Sequence, residues 1–281
     1  MFITNFKIQE MKYSIITVNL NNKEGLKRTI QSIISQDFSD YEFMVIDGGS
    51  VDGSKEVCEE FSSFITYWVS EKDSGIYNGM NKGIIKAHGD FINFMNSGDT
   101  FFDNHVLSIV SEKMDGSDII VGCDFNQSPV TGQTFTSILP TRTSMVTFFT
   151  QTLPHQSSFI RRSLFNDSLY NENLKIVSDW EFFMKKIVYE GATIQLLNDL
   201  VVSRHEQDGI SAYGVKTAME ERIAVLKELL PNGIYKDYKS LANLDRSTLF
   251  KLLNMLDKGP NKLLTYCIKI LYRINSKRIL P

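Results

Sequence analysis

A lone carboxylate, Asp99, closes the turn-forming segment Asn96-Ser-Gly-Asp99 directly after the apolar run Phe91–Met95. Hard divalent cations take oxygen ligands in proteins, commonly one or two carboxylates together with phosphate oxygens of a substrate. Asp99 is therefore a candidate metal ligand. The same residue types also form ordinary turns, so the local sequence leaves a purely structural turn as an alternative.

A second carboxylate, Asp179, lies in Ser178-Asp-Trp-Glu181 at the start of an expected helix. Ser178 and Glu181 have the spacing of a capping box, in which each side chain bonds a free backbone amide of the first turn. That box does not require Asp179. A carboxylate at a helix N-terminus is stabilised by the helix dipole, so Asp179 suits the role of a general base.

Strand and helix patterns alternate over the first hundred residues. The patterns predict strands over 13–18, 41–46, 64–69 and 91–95, and helices over 26–34, 51–61 and 76–87. Repeated β-α-β units predict a parallel sheet with helices on its faces, and such sheets bind ligands outside the carboxyl ends of their strands. The polar residues at those ends are the first candidates for a binding site: Thr17, Asn19, Asp47, Asp73 and residues 96–99.

The later part of the chain is less regular. Its patterns predict helices over 105–114 and 178–190, and strands over 118–122, 192–197 and 200–204. Beyond Ser211 the pattern is helical, with breaks at Pro231-Asn-Gly233 and Gly259-Pro260. We therefore predict a tail over 1–10, an α/β domain over 11–211 with halves 11–100 and 101–211, and a helical extension over 212–281.

Composition excludes several classes of protein. The chain has 281 residues, 42% of them hydrophobic, and a formal net charge of −3. These values argue against a disordered chain and against nucleic acid as a partner. Its three cysteines, Cys58, Cys123 and Cys267, are too few and too scattered for a disulfide framework. With no secretory signal or membrane-spanning run expected, we predict a cytoplasmic protein.

Six segments, in this order along the chain, together resemble the family 2 glycosyltransferases. They are Ser14-Ile-Ile-Thr-Val-Asn19, Asp47-Gly-Gly-Ser-Val-Asp-Gly-Ser54, the 71–83 stretch from Glu71 to Gly83, Asn96-Ser-Gly-Asp99, His155-Gln156 with Phe159-Ile-Arg-Arg162, and Ser178-Asp179-Trp180. Each segment alone is a weak signal, but six in the order of the family are specific. The resemblance covers roughly residues 12–211, and the 71–83 stretch is typical of bacterial members.

The resemblance implies a GT-A fold, with a Rossmann-like nucleotide-binding sheet and an acceptor-side half. It also implies inverting transfer of a hexosyl or N-acetylhexosaminyl group from a nucleotide sugar, most often UDP-linked. The acceptor would be a hydroxyl of a saccharide or lipid-linked molecule, in synthesis of a bacterial surface polysaccharide such as capsule or lipopolysaccharide. By position, the resemblance implies a nucleotide site formed by Thr17, Asn19, Asp47, Asp73 and Ser97. It implies that Asp99 binds Mn²⁺ or Mg²⁺ and that Asp179 is the catalytic base. The implied acceptor side consists of His155, Gln156 and Trp180.

This chain departs from the family pattern at both acidic motifs. Asn96 and Gly98 stand where many members carry acids, so Asp99 is the single carboxylate of the metal motif. His205 is therefore a candidate second ligand. Ser178 likewise replaces the acid that usually precedes the base, which leaves Asp179 alone in that pair.

Other functions remain to be weighed. The reduced metal motif keeps open a nucleotide-sugar-binding protein with lost or weak transferase activity. A dinucleotide-dependent oxidoreductase would need G-x-G-x-x-G after the first strand, where this chain has Asn19-Leu-Asn-Asn-Lys-Glu-Gly25. A nucleotidyltransferase is disfavoured because its glycine-rich, basic phosphate loop is missing from the same region.

The C-terminal stretch Lys262–Pro281 contains no acidic residue, and its basic and apolar residues separate onto different sides of a predicted helix. The apolar side could pack on the catalytic domain. Alternatively the helix could lie on an anionic inner membrane, where each basic residue contributes about 1 kcal/mol. We therefore expect either a structural helix or peripheral membrane contact through residues 260–281.

Overall fold

The computed structural model describes residues 12–127, 131–206 and 214–245. By its internal contacts the chain divides into two compact units, residues 1–225 and 226–281. The predicted tail over 1–10 and the predicted C-terminal helix over 260–281 lie outside the described residues. The predicted division at residue 211 stays a prediction.

Strands and helices alternate through most of the first unit. The strands are β1 Tyr13–Asn19, β2 Tyr41–Asp47, β3 Tyr67–Ser70, β4 Phe91–Phe94, β5 Thr100–Phe101, β6 Ile119–Gln127, β7 Thr134–Thr136, β8 Ser158–Arg161 and β9 Ile194–Glu206. The helices are α1 Lys23–Ile34, α2 Ser54–Glu60, α3 Ile76–Lys86, α4 Val106–Lys113, α5 Met145–Thr150, α6 Ser178–Met184, α7 Val215–Leu229 and α8 Asn232–Asp245. No helix in the described ranges is long and apolar enough to cross a bilayer.

One mixed sheet organises the unit. In the described part of the chain this sheet has nine strands, in the order β3-β2-β1-β4-β8-β6-β9-β5 with β7 paired to β6. The strands β3, β2, β1 and β4 are parallel, as the β-α-β pattern predicted. The strand β8 is antiparallel to both β4 and β6, so β6 runs in the same direction as β4. The carboxyl ends of β1, β2, β4, β6 and β9 therefore lie along one edge.

Burial explains why these runs form strands and helices. All seven residues of β1 are buried, as expected for a central parallel strand. The helix α3 packs closely on this strand, because a Cβ atom at Gly79 would lie 2.8 Å from Val18 and one at Gly83 would lie 2.5 Å from Ile16. Two glycines one turn apart thus bring the N-terminal end of α3, with Tyr77, up to the carboxyl edge of the sheet.

The part of the α/β domain after residue 100 departs from the predicted elements. The two strands predicted over 192–197 and 200–204 form the single strand β9, which follows β6 through irregular register near Gly122 and Cys123. The helix predicted over 178–190 is α-helical only to Met184 and continues as a π-helical turn, Lys185–Tyr189. The strand β8 was not predicted, because its four residues are too few for an alternating pattern to show.

Candidate active site

The turn after β4 places Asp99 at the edge of the sheet. The amide of Asp99 donates to the carbonyl of Asn96 at 2.9 Å, and Gly98 between them has a φ of +105°, which favours glycine. On α1, the Thr29 hydroxyl lies 2.7 Å from the Asp99 carbonyl oxygen and also accepts from the Gly98 amide. The segment is therefore a turn, and that turn presents the Asp99 carboxylate.

Asp99 pairs with His205. Its Oδ1 lies 2.5 Å from His205 Nδ1, because β5 and β9 are antiparallel neighbours with Thr100 opposite Arg204. The side chains of Asp99 and His205 are 8% and 22% exposed. Contact between two residues 106 positions apart brings together the two metal ligands suggested by the sequence.

The Asp99 and His205 side chains fit a divalent cation whose other ligands come from a substrate and from water. Within the described ranges, no group of three or more His, Cys, Asp or Glu side chains could hold a metal ion. Asp99 and His205 offer one carboxylate and one imidazole, and Mg²⁺ or Mn²⁺ commonly uses so few protein ligands when diphosphate oxygens and waters supply the rest. A cation held here would supply positive charge to a diphosphate.

The second carboxylate, Asp179, has a protein partner on each of its oxygens. The Tyr77 hydroxyl donates to Asp179 Oδ1 at 2.9 Å. His155 Nδ1 lies 3.3 Å from Asp179 Oδ2, and the Asp179 side chain is 14% exposed. An ionised carboxylate has about four lone-pair positions, so these two side chains do not occupy all of them.

The surroundings keep Asp179 ionised. Burial alone would raise the pKa of its carboxyl, but the hydrogen bond and charge of His155, assisted by Tyr77, outweigh burial and hold that pKa below its ordinary value. Burial would likewise lower the pKa of His155, yet Asp179 raises it above its ordinary value. Burial and the Asp179 charge raise the pKa of Tyr77 well above its usual range, so its hydroxyl stays a donor.

His155 connects Asp179 with the turn after β4. Its Nε2 lies 3.2 Å from the side-chain nitrogen Nδ2 of Asn96, the first residue of that turn. The charge of Asp99 raises the pKa of His155 and that of His205 lowers it. The two carboxylates and two imidazoles therefore form one electrostatically coupled group, in which His155 occupies the middle position.

The capping box predicted for Ser178 and Glu181 is wrong. The helix α6 already includes Ser178, and Val177 before it makes no side-chain cap. Instead the Ser178 hydroxyl accepts from the Asn171 amide at 2.6 Å, and Glu181 accepts from the Asn171 side chain at 3.2 Å. Both side chains fix the preceding loop, because tertiary contacts with Asn171 replace the local capping bonds.

Three of the predicted nucleotide-site residues are buried in the sheet. The Asp47 carboxylate, 0% exposed, accepts hydrogen bonds from Asn19, from the Ser50 hydroxyl and amide, and from Ser70, at 2.5 to 2.9 Å. Burial would raise its pKa, but these bonds hold the pKa below its ordinary value. The Thr17 hydroxyl is also buried and donates to the Met95 carbonyl at 2.7 Å. Thr17, Asn19 and Asp47 thus hold the strand ends together.

Asp73 stands at the same edge and is partly exposed. Its Oδ2 lies 2.7 Å from the place that a Cβ atom at residue 48 would occupy, and its Oδ1 accepts from the Gly75 amide at 3.1 Å. Gly48 therefore leaves room for the Asp73 carboxylate beside the end of β2. Ser97, also partly exposed, follows on the metal-motif turn, where its carbonyl accepts from Asn22 at 3.0 Å.

The predicted acceptor-side residues take different positions. His155 lies in the site, whereas Trp180 is 1% exposed and its indole donates to the Phe148 carbonyl at 3.0 Å. The predicted acceptor surface at Trp180 is therefore corrected to a core contact that anchors α6 beside Asp179. Gln156 is 6% exposed, and its carbonyl accepts from Asn93 at 3.0 Å, which joins this segment to β4.

Tyr77 was not predicted to be a site residue. It lies in the 71–83 stretch, which was singled out for its resemblance alone. The sequence signal that could have identified Tyr77 as a site residue is its place at the start of a predicted helix within this specific segment. Its partner Asp179 lies 102 residues away, and no local pattern joins the two.

Comparison with known sequences identifies relatives. The profile of "Glycosyl transferase family 2" matches residues 14–177, more than half of the chain. An uncharacterized glycosyltransferase of Mycobacterium tuberculosis is 32% identical over 196 residues, which cover 65% of this chain and 71% of that protein. A PGL/p-HBAD biosynthesis glycosyltransferase of Mycobacterium bovis is 25% identical over 206 residues, which cover 71% and 78%.

Solved structures share the fold. The crystal structure of S. aureus TarS 1–349 in complex with UDP-GlcNAc matches with a TM-score of 0.64 at 18% identity, over 90% of this chain and 74% of that chain. Mannosyltransferase PcManGT from Pyrobaculum calidifontis, solved with GDP-Man and Mn²⁺, matches with a TM-score of 0.62 at 11% identity, over 97% and 81%. The predicted α/β fold of GT-A type is confirmed. Sequence profile, motifs and fold agree: this chain belongs to glycosyl transferase family 2.

Proposed function

We propose that this protein is an inverting glycosyltransferase that moves a hexosyl or N-acetylhexosaminyl group from a UDP-linked sugar to a hydroxyl of a saccharide or lipid-linked acceptor. The observation that carries the proposal is the half-buried Asp179, a carboxylate held by Tyr77 and His155 and linked through His155 to the Asp99–His205 pair. A base and a place for a diphosphate-bound cation thus lie in one connected group.

The proposed reaction needs one base and no acid. Asp179 accepts the proton of the acceptor hydroxyl, whose oxygen attacks the anomeric carbon as the bond to the diphosphate oxygen breaks. Attack opposite the leaving group inverts the anomeric configuration, through an oxocarbenium-like transition state. A divalent cation held by Asp99 and His205 would neutralise charge on the departing diphosphate.

The setting of the reaction is also a proposal. We place it in the assembly of a bacterial surface polysaccharide, in the cytoplasm at the inner face of the membrane. The M. bovis relative is a glycosyltransferase of PGL/p-HBAD biosynthesis, and it supports a biosynthetic setting by analogy. Peripheral contact would use residues 260–281, outside the described ranges.

In a vesicle test, the full chain should sediment with anionic vesicles at low salt and a chain ending at Gly259 should not. Full-length protein that ignores such vesicles would refute membrane contact.

Replacement of Asp179 by asparagine tests the catalytic assignment. Because base catalysis contributes roughly 10²–10⁴-fold, Asp179→Asn should lower kcat by that factor while leaving UDP affinity unchanged. Glu181→Gln is the matched control, since Glu181 is the next acid on α6 and its partners are Lys185 and Asn171. Near-normal turnover in Asp179→Asn would assign the base elsewhere. Donor binding by the wild type without transfer or hydrolysis would favour the alternative, a nucleotide-sugar-binding protein.

A further inference from the structure

Asp124 is a buried carboxylate to which the chemistry above assigns no part. It lies on β6 and is 7% exposed. Its Oδ2 accepts from the Asn126 side chain at 2.8 Å, whereas its Oδ1 is buried and has no hydrogen-bond partner among the described residues. A buried acceptor without a donor is costly, so such an atom points to a donor that the described residues do not supply.

The strand register places Asp124 on the face of the sheet that carries the site. Asp124 is opposite Ser203, and Asn126 is opposite His205, in the parallel pair β6–β9. Residues opposite each other on neighbouring strands project to the same face, so Asp124 and Asn126 share the face of His205. The intervening residues take the other face, where the Arg204 guanidinium lies 5.0 Å from the Phe125 ring centroid.

The depth of Asp124 relative to the site follows from the same register. Asn126 is level with His205, which contacts Asp99, and Asp124 lies two residues, about 7 Å, further from the carboxyl edge. Ser203, opposite Asp124, has its hydroxyl 2.7 Å from the Ser157 hydroxyl, two residues after His155. Asp124 therefore lies beneath the region bordered by the Asp99–His205 pair and the His155 segment.

We propose that Asp124 Oδ1 accepts a hydrogen bond from a hydroxyl group of the donor sugar and helps to select that sugar. The proposal rests on the proposed function. A sugar hydroxyl can donate a hydrogen bond, and a carboxylate oxygen such as Oδ1 accepts one. The sugar is bonded to the diphosphate, whose cation we place at Asp99 and His205, so the donor sugar lies on the side of Asn126 and Asp124. The acceptor approaches Asp179 from the opposite face of the sugar.

The test compares nucleotide binding with nucleotide-sugar binding. Dissociation constants for UDP and for the UDP-sugar that binds the wild type best, among UDP-glucose, UDP-galactose and UDP-GlcNAc, are measured with Mn²⁺ by calorimetry. Asp124→Asn should leave UDP affinity within about twofold and weaken UDP-sugar affinity about 10- to 100-fold, the effect of one charge-assisted hydrogen bond. Asp115→Asn, an exposed acid in the turn before β6, is the control.

A set of monodeoxy UDP-sugars identifies the bonding hydroxyl. One of these analogues should bind the wild type more weakly than the parent sugar does, and Asp124→Asn should cost no further affinity for that analogue. If Asp124→Asn does not fold, the affinities of the wild type for the monodeoxy UDP-sugars decide the question. Equal affinity for every analogue and for the parent sugar would overturn the proposal.

The outcomes also separate this proposal from the proposed function. Unchanged UDP-sugar affinity in Asp124→Asn would mean that a water molecule serves Oδ1 and would refute the proposal alone. Equal loss of UDP and UDP-sugar affinity would also refute the proposal. Such a result would mean that Asp124 stabilises the fold or helps to bind the cation. A wild type that binds no nucleotide sugar would refute the proposed function, and the role of Asp124 with it.

Discussion

Replacing Tyr77 by phenylalanine removes one hydrogen bond from the proposed base and leaves the packing of the ring intact. The Tyr77 hydroxyl donates to Asp179 Oδ1 at 2.9 Å, and the residue is 5% exposed. A hydrogen bond to a charged group contributes about 1.5–3 kcal/mol. Tyr77→Phe should therefore raise the pKa of Asp179, and on the acidic side of the profile kcat should fall about 10- to 100-fold.

The sign of the effect follows from the protonation equilibrium. The pKa of Asp179 lies below its ordinary value, so the competent, ionised form is lost only as the pH falls through that lowered pKa. Without the Tyr77 bond, the ionised form is lost at a higher pH. Profiles of kcat that run from about pH 8 down to below the ordinary pKa of an aspartate, about 3.9, should therefore coincide at the alkaline end and separate at the acidic end.

Tyr170 provides the matched control. Its ring centroid lies 5.6 Å from that of Tyr77, and its buried hydroxyl has no hydrogen-bond partner among the described residues. Tyr170→Phe should leave the acidic limb of the kcat profile where it is and should not lower the free energy of unfolding. Coincident acidic limbs for Tyr77→Phe and the wild type, or equal shifts in both variants, would refute the reasoning.

Two further predictions concern the metal and the nucleotide. In calorimetry, Mn²⁺ should raise the affinity of the wild type for UDP, and Asp99→Ala and His205→Ala should each abolish that gain. The reason is that the cation would lose one of its two protein ligands. A gain that survives either change contradicts the metal assignment. Gly48→Ala should weaken UDP binding about tenfold, because the new methyl group would lie 2.7 Å from Asp73 Oδ2 and displace that carboxylate. Gly233→Ala, with nothing within 4 Å, is its control, and unchanged affinity in Gly48→Ala would remove Asp73 from the site.

Local patterns predicted the elements of the first hundred residues closely. The residues Tyr13–Asn19 form a buried central strand because a parallel strand covered on both faces needs an apolar run, and that run is visible in the chain itself. Helix α1 begins after Asn22, whose side chain accepts from the Gly25 amide at 3.1 Å, and its apolar residues recur at helical spacing. These signals involve neighbours along the chain and do not depend on the remainder of the fold.

The motifs indicated the chemistry but not the partners of each group. Asp99 and Asp179 were candidates from their places after a strand and at a helix start, and the family match made them specific. The sequence could not show that Asp47 is enclosed by four hydrogen bonds or that Trp180 is buried, because exposure depends on what packs from elsewhere in the chain. The capping-box spacing of Ser178 and Glu181 was misleading for the same reason.

The sequence by itself determined the alternation of strands and helices, the family, and the two carboxylates that we propose for metal binding and base catalysis. Periodicity and motif order are properties of the linear sequence, so they can be recognised without knowing the tertiary fold. The tertiary structure decided which groups meet. His205 reaches Asp99 through the pairing of β5 with β9, and Tyr77 reaches Asp179 because two glycines let α3 approach β1 closely. Such contacts join positions more than a hundred residues apart, and only the packing of the sheet and its helices brings them within hydrogen-bond distance.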